Sequence, residues 1–312
     1  MVLILYYSFC YFMRIKAFIL LIALGFLWGS GYAIARYCVT HGVTPLGYSF
    51  WQSLGPALLL SLLALLQRKF RLQMLNAKLL GFALMAGFLG IAVPNSIMYF
   101  ASQHLPASMV ATLVNTVPLF IYPLALLLQV EQYRGSRLAW ILLAVLGLVL
   151  LNFVPHDFTH TYLPWSLLVL GAPLSFALCA ILIQPLQPQD LDALGSASLM
   201  LVVSSMLLTP IVFFKADFYG LQFQHPVDFW ILLEILLSSL GYVLFFQLIK
   251  LAGPVYYSLT GGAVALTGIC ISLLVFKETL GIRTVIALLL ILLAIFGMSY
   301  SQNPRSPTLR NN

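Results

Sequence analysis

An all-α membrane protein, with ten transmembrane helices in two inverted five-helix repeats, is the fold this sequence predicts. Three observations carry that prediction. Of 312 residues, 62% are hydrophobic and only 7% charged, against about 25% charged in an ordinary soluble domain, which excludes a soluble enzyme. Ten apolar windows fit between the charged, proline and turn residues, each near the roughly 20 residues that cross a bilayer. The 15 Lys and Arg are scattered through short loops rather than gathered in a basic stripe, so the net charge of +7 reflects topology and not nucleic acid.

The windows run in order as 17–36, 45–66, 79–100, 107–129, 137–153, 163–184, 194–214, 229–249, 255–276 and 281–300. Met13-Arg14-Ile15-Lys16 leads into the first one like a charged n-region. Residues 1–12 are apolar but too few to span, so translation is expected to begin at Met13. A cleaved signal peptide is the rival reading of 13–31; nine further windows favour an uncleaved first span. With the N-terminus in the cytoplasm, eleven Lys and Arg fall inside and four (Arg36, Lys215, Lys277, Arg283) outside, as the positive-inside rule requires. Both termini are then cytoplasmic, and the expected location is a bacterial inner (cell) membrane. The five histidines fall in or beside outer loops; His156 and His160 have only Asp157 near them, so no metal is assigned. Cys10, Cys38, Cys179 and Cys270 are too far apart for a metal or redox motif.

Five spans are an odd number, so a duplicated five-span unit inserts upside down relative to its copy. The fourth and ninth windows each end in an acidic residue just past an apolar run, at Glu131 and Glu278, 147 residues apart. At that offset 99–131 aligns with 246–278 without a gap, and Ala107 meets Pro254.

The run Gly25-Phe-Leu-Trp28-Gly29-Ser30-Gly-Tyr32, the Pro45-Leu46 pair, the Tyr99 to Ala111 segment and Thr116-Val-Pro118-Leu followed by Glu131 resemble the EamA family of the drug/metabolite transporter superfamily. The resemblance covers the chain as two units, 17–153 and 163–300. It implies a ten-helix inverted-repeat fold around a central cavity and the export or exchange of amino acids and other small metabolites. One position departs from the family pattern: Gln52 stands where such proteins often carry an Arg seven residues after the second-span proline.

Polar groups in hydrocarbon face protein or water, which selects the path-lining residues. Ser108, Thr112, Asn115 and Tyr122 share one face of the fourth window, with Pro118 and Pro123 beside it. The stripe reads as cavity lining or as interhelical hydrogen bonding; a tyrosine on it favours lining. In the first window Gly25 and Gly29 permit close helix approach, Trp28 reads as a stacking residue or packed core, Tyr32 shares the glycine face, and Arg36 snorkels outward. Asn95 and Tyr99 in the third window, Tyr242 with Gln247 in the eighth, and Tyr256, Thr260 and Thr267 in the ninth complete the neutral hydrogen-bonding groups. Glu131 and Glu278 precede the next helix, where its N-terminal dipole favours a carboxylate. Glu234 is the only acid well inside a window and is therefore the proton-coupling candidate, with Ser238 and Tyr242 on its face. The plainer reading leaves it at the outer interface.

The expected function is secondary transport of small, amino-acid-like or amphipathic solutes by alternating access. The alternative is a polytopic membrane enzyme acting on a lipid-soluble substrate, which requires paired intramembrane acids, a Ser/His couple or a metal motif; none is present, and no cofactor or catalytic residue is assigned. The expected partners are a small-molecule solute and the lipid bilayer, with no nucleic acid; a homodimer is the assembly to test.

Overall fold

Helix is the only regular structure among the residues described in this computed structural model, namely 2–67, 76–102, 104–105, 110, 113–152, 163–276 and 281–301. In chain order the elements are α1 (Val2–Thr40), α2 (Pro45–Leu66), α3 (Ala77–Gly87), a π-helical turn (Phe88–Ala92) and α4 (Val93–Ser102). Then follow α5 (Val117–Leu127), α6 (Gly135–Asn152), α7 (Leu163–Val169), α8 (Gly171–Leu186) and α9 (Ala193–Phe214). The chain closes with α10 (Pro226–Ala252), α11 (Pro254–Tyr257), α12 (Thr260–Phe276) and α13 (Ile282–Ser301). Seven helical stretches are long and apolar enough to cross a membrane, and two shorter apolar helices are 117–127 and 135–150. The described count thus falls below the ten expected spans. The windows at 107–129 and 255–276 are broken by turns and abut residues outside the description.

Local chemistry sets the helix ends. Thr44, Asn76 and Asp192 cap α2, α3 and α9 by accepting from the amides of Gly47 (3.0 Å), Leu79 (2.9 Å) and Gly195 (2.8 Å). Pro45 and Pro226 occupy first-turn positions where no amide is missed. Gly253 ends α10 at φ +87°, a conformation that favours glycine, and Pro254 then starts α11.

The interruption at Phe88–Ala92 follows from Pro94. Proline cannot donate to the carbonyl four residues back; the ladder slips, and Val93 N–H donates to Phe88 O instead. A carbonyl freed by the slip, that of Leu89, accepts from Ser175 Oγ of α8 at 2.7 Å. In a medium without water such a group needs a protein partner.

Packing relies on small residues, because lipid offers no hydrophobic drive between helices. Gly25 and Gly29 let α1 approach α12 so closely that a Cβ on Gly29 would lie 2.7 Å from Thr267 Cβ. Ser61 and Ser198 join α2 to α9 through their hydroxyls at 2.9 Å. α1 packs on α12 and α10, α8 on α5 and α4, α2 on α9, and α6 on α13. Outward faces are apolar, as at Leu58, Leu62, Phe214, Leu293 and Phe296.

Candidate functional site

Inside the bundle lies a cavity of about 350 Å³. One wall is aromatic: Trp28 of α1, Tyr242 and Phe245 of α10, and Tyr257 of α11. Ring centroids are 6.0 Å apart for Trp28–Tyr242, 6.2 Å for Trp28–Tyr257 and 4.8 Å for Phe245–Tyr257, with planes inclined at 64°, 86° and 72°. Rings so inclined form a corner rather than a stack. The polar lining comes from Ser49 and Gln52 of α2, Asn95 of α4, and Asn115 from the turn before α5. No Asp, Glu, Lys, Arg or His is among the described residues that line the cavity.

Two interrupted spans meet there. The chain turns at Asn115-Thr116 before α5 and at Ser258-Leu259 between α11 and α12. Local hydroxyls satisfy the loosened backbone: Thr116 Oγ1 donates to Leu113 O (2.6 Å), Ser258 Oγ to Val255 O (2.7 Å) and Thr260 Oγ1 to Tyr257 O (2.6 Å). The two breaks are in contact, since a Cβ on Gly261 would lie 3.2 Å from Asn115 Oδ1.

Behind the cavity wall sits Glu234, 2% exposed. Its Oε1 accepts from Gln52 Nε2 at 2.8 Å and Ser238 Oγ at 2.7 Å. Its Oε2 is buried. The Tyr48 phenol is a further hydrogen-bonding neighbour of the carboxyl and also reaches Gly31 O, at 3.3 Å. Gly31, Tyr48 and Gln52 all line the cavity.

At one end of the bundle, residues 215–225 strap across the start of α2. Thr44 Oγ1 donates to Asp217 O (2.7 Å) and Trp51 Nε1 to Tyr219 O (2.7 Å), and Phe218 stacks on Phe213 at 5.2 Å. The Tyr99 phenol donates to the Asp217 carboxylate. Tyr219 Oη donates to Asp228 Oδ1 at 3.0 Å; burial, and then this bond to a carboxylate, push the Tyr219 phenol above its ordinary range.

Of the residues expected on the path, Trp28, Asn95, Asn115 and Tyr242 come together on the cavity wall. Thr112 and Ser108 lie outside the described residues, as do Glu278, His156, Asp157, His160 and the side chains of Tyr32 and Arg36. Tyr99, Tyr122 and Tyr256 are not among the lining residues. Tyr99 is engaged by the strap. Tyr122 Oη accepts from Arg134 N (2.8 Å) and donates to Arg134 O (3.1 Å), tying α5 to the start of α6. Tyr256 shares a hydrogen bond with Ser299 of α13 at 2.7 Å; the break at Ser258 turns Tyr257 to the cavity in its place. Sequence reasoning missed Phe245 and Gly31, which carry no polar signal, missed Tyr257 beside Tyr256, and treated Gln52 only as a departure from a pattern.

A family model, the EamA-like transporter family, matches residues 15–153 and again 163–300. The chain belongs to the EamA-like transporter family. Membership makes it an integral membrane transporter of the drug/metabolite type. One solved structure, "Crystal structure of protein", is similar to this EamA-like chain in fold, with TM-score 0.72 at 15% identity over 90% of this chain and 96% of its own. No curated protein matches the chain.

Proposed function

We propose that this EamA-like transporter moves small amino-acid-like or amphipathic metabolites by alternating access, as an exporter or exchanger, with the aromatic and amide-lined cavity as its solute site. The observation that carries this reading is the meeting of two interrupted helices at Asn115 and Gly261 on the cavity wall. Interrupted helices in corresponding positions of two repeats hold the solute in many secondary carriers. Trp28 and Tyr242 then stack the solute, Asn95 and Asn115 bond it, and Tyr32 and Thr112 extend the lining. Tyr99, Tyr122 and Tyr256 serve as braces.

Counting α3–α4, α7–α8 and α11–α12 each as one interrupted span gives ten spans in two units, 17–153 and 163–300. The packing supports a duplication whose two units are related by a two-fold, and the odd number of spans per unit supports its inversion. First span on ninth and eighth becomes, when the units are exchanged, sixth on fourth and third, while the second-on-seventh and fifth-on-tenth pairs map onto themselves. The charge asymmetry supports cytoplasmic termini. Reporter fusions at Asp157 should then score extracytoplasmic and at Asp190 cytoplasmic; the reverse at either site removes the inverted model.

Glu234 is the coupling group in this reading, because it is a buried acid inside a span with only neutral hydrogen-bond partners. Untargeted comparison of metabolites inside and outside cells, with and without the protein expressed, identifies a solute. Trp28→Ala, Asn115→Ala and Tyr242→Ala should each lower its flux by roughly tenfold with membrane levels intact, the scale of one lost stacking or buried hydrogen-bonding contact. Normal flux in all three moves the site elsewhere.

A further inference from the structure

The cavity is one-sided. Its lining reaches the strap end of the bundle at Val39 of α1, Pro45 of α2 and Met98 of α4, and Val39 and Pro45 are exposed there. On α9 and α10 it stops at Met200 and Phe245, each about two turns short of the far end of its helix, at Ala193 and Ala252, roughly 10 Å along the axis. At that far end the helices are joined: Gln184 Nε2 of α8 donates to Ile249 O of α10 at 2.9 Å, and Glu131 Oε1, beyond α5, lies 3.6 Å from where a Cβ on Gly253 would stand.

The strap grips the open end from behind. α2 presents two neighbouring faces there, about a third of a turn apart: Pro45, Tyr48, Ser49 and Gln52 line the cavity, while Thr44, Gly47 and Trp51 meet the strap. Thr44 and Trp51 donate to the Asp217 and Tyr219 carbonyls, and a Cβ on Gly47 would lie 2.7 Å from Asp217 O and 3.3 Å from Tyr219 Cβ. α4 is held in the same way. Tyr99, bonded to the Asp217 carboxylate, stands one turn past Asn95 and next to Met98, both of which line the cavity. The strap is itself anchored on the end of α9: the Lys215 and Asp217 amides donate to Ile211 O (3.1 Å) and Val212 O (3.0 Å), and Ala216 between them takes φ +54°, a conformation uncommon for a residue with a Cβ. The strap falls in the second of the two segments that match the family, and α2 and α4 fall in the first.

We propose that residues 215–219 are a latch that holds the mouth of the cavity open, with Thr44, Trp51 and Tyr99 as its positioning residues, and that release of this latch lets the mouth close. The latch rests on the transport reading above, because alternating access requires one mouth to close as the other opens. Closure brings the start of α2 and the end of α4 toward Val39. Neither can move that way without giving up its bonds to a strap fixed on α9. Those bonds are single hydrogen bonds at the end of the bundle rather than buried ion pairs, so each holds the mouth with a modest and reversible bias.

The rate at which Ser49→Cys, in the full chain in detergent, reacts with a small charged methanethiosulfonate follows the mouth, read site by site by mass spectrometry. Met98→Cys is a second, independent reporter. Trp51→Phe and Tyr99→Phe each remove one bond to the strap and keep the ring. One lost hydrogen bond shifts an equilibrium by roughly fivefold, so each substitution should slow labelling by about twofold and the pair together by about fivefold, as the mouth spends more time closed. A strap that only braces the fold gives the opposite sign: the loosened end opens and labelling quickens. Unchanged or faster labelling in the folded double variant overturns the proposal. Where the double variant does not fold, the sign of the change in the two single variants decides. Labelling needs no solute, so the two readings fail separately. Flux into proteoliposomes, with labelling indifferent to the strap substitutions, defeats the latch and leaves transport standing. Slower labelling in a protein that moves no solute defeats transport and leaves the latch standing.

Discussion

Glu131 and Glu234 both lie where water is scarce, and the fold treats them differently. Glu131 follows the end of α5 and is given a full countercharge, Arg137 Nη1 at 2.5 Å, with both side chains nearly buried. Glu234, well inside α10, is given only neutral partners, the Gln52 amide, the Ser238 hydroxyl and the Tyr48 phenol. A fixed ion pair leaves its carboxylate nothing further to bind. Neutral donors leave the carboxyl free to take up a proton. The contrast is between a carboxylate that fastens two helices through a countercharge and one held by neutral groups alone.

The largest effect that tests this contrast is on uphill transport. Glu234→Gln should reduce accumulation of solute against its gradient by more than tenfold and abolish the dependence of flux on external pH, with solute exchange retained. Glu131→Gln should leave that pH dependence as in wild type. A mutant Glu234 carrier that keeps its pH profile is a facilitator or is coupled to another ion. Next in size is stability. Arg137→Gln strands a nearly buried carboxylate and should lower unfolding stability in detergent by roughly 2 kcal/mol, read as a fall in Tm, while the apparent affinity for solute is unchanged. A Tm within a degree of wild type would show the pair to be dispensable.

A smaller effect is expected at the strap. Tyr99→Phe removes the bond to Asp217 and should cost about 1 kcal/mol, and it should raise flux if release of the strap limits turnover and leave flux unchanged if it does not. Either flux result, set against the loss caused by cavity substitutions, places Tyr99 outside the solute's contacts; a loss as large as that of Trp28→Ala would return it to the path. The smallest effect is at Tyr219. Its bond to Asp228 requires the phenolic proton, and the phenol titrates above its ordinary value in the folded chain. The stabilisation is therefore complete below the unfolded value, about pH 10, and fades as pH rises through the folded one. Tyr219→Phe should unfold slightly earlier than wild type at pH 7, and the gap should close in strong alkali.

Much of the architecture was legible because hydrophobic windows and proline caps are local signals. The window 45–66 coincides with α2, capped by Thr44 and begun by Pro45. Gly25 and Gly29 were read as a close-approach face, and α12 lies against it. Trp28, Asn95, Asn115 and Tyr242, polar or amphipathic groups deep in a span, line the cavity. What failed to show was geometry that depends on breaks and partners. A stripe drawn through Tyr256, Thr260 and Thr267 assumes one unbroken helix, and the turn at Ser258 shifts the cavity position to Tyr257. Tyr99 satisfied every rule for a path residue, but its partner Asp217 is 118 residues away. Gly31 has no side chain for a pattern to register, and the Glu234 carboxyl packs where its Cβ would stand.

The π turn at Phe88–Ala92 has a consequence in helical phase. One residue of extra winding advances everything after it by about 100° relative to an uninterrupted α-helix. Residues before the turn, such as Phe82 and Ala86, keep the register that buries them in the core, while Asn95 and Met98 beyond it face the cavity. A single-residue deletion within 88–92, combined with replacement of Pro94 by a residue that can donate, would restore a continuous ladder and swing the amide of Asn95 off the cavity wall.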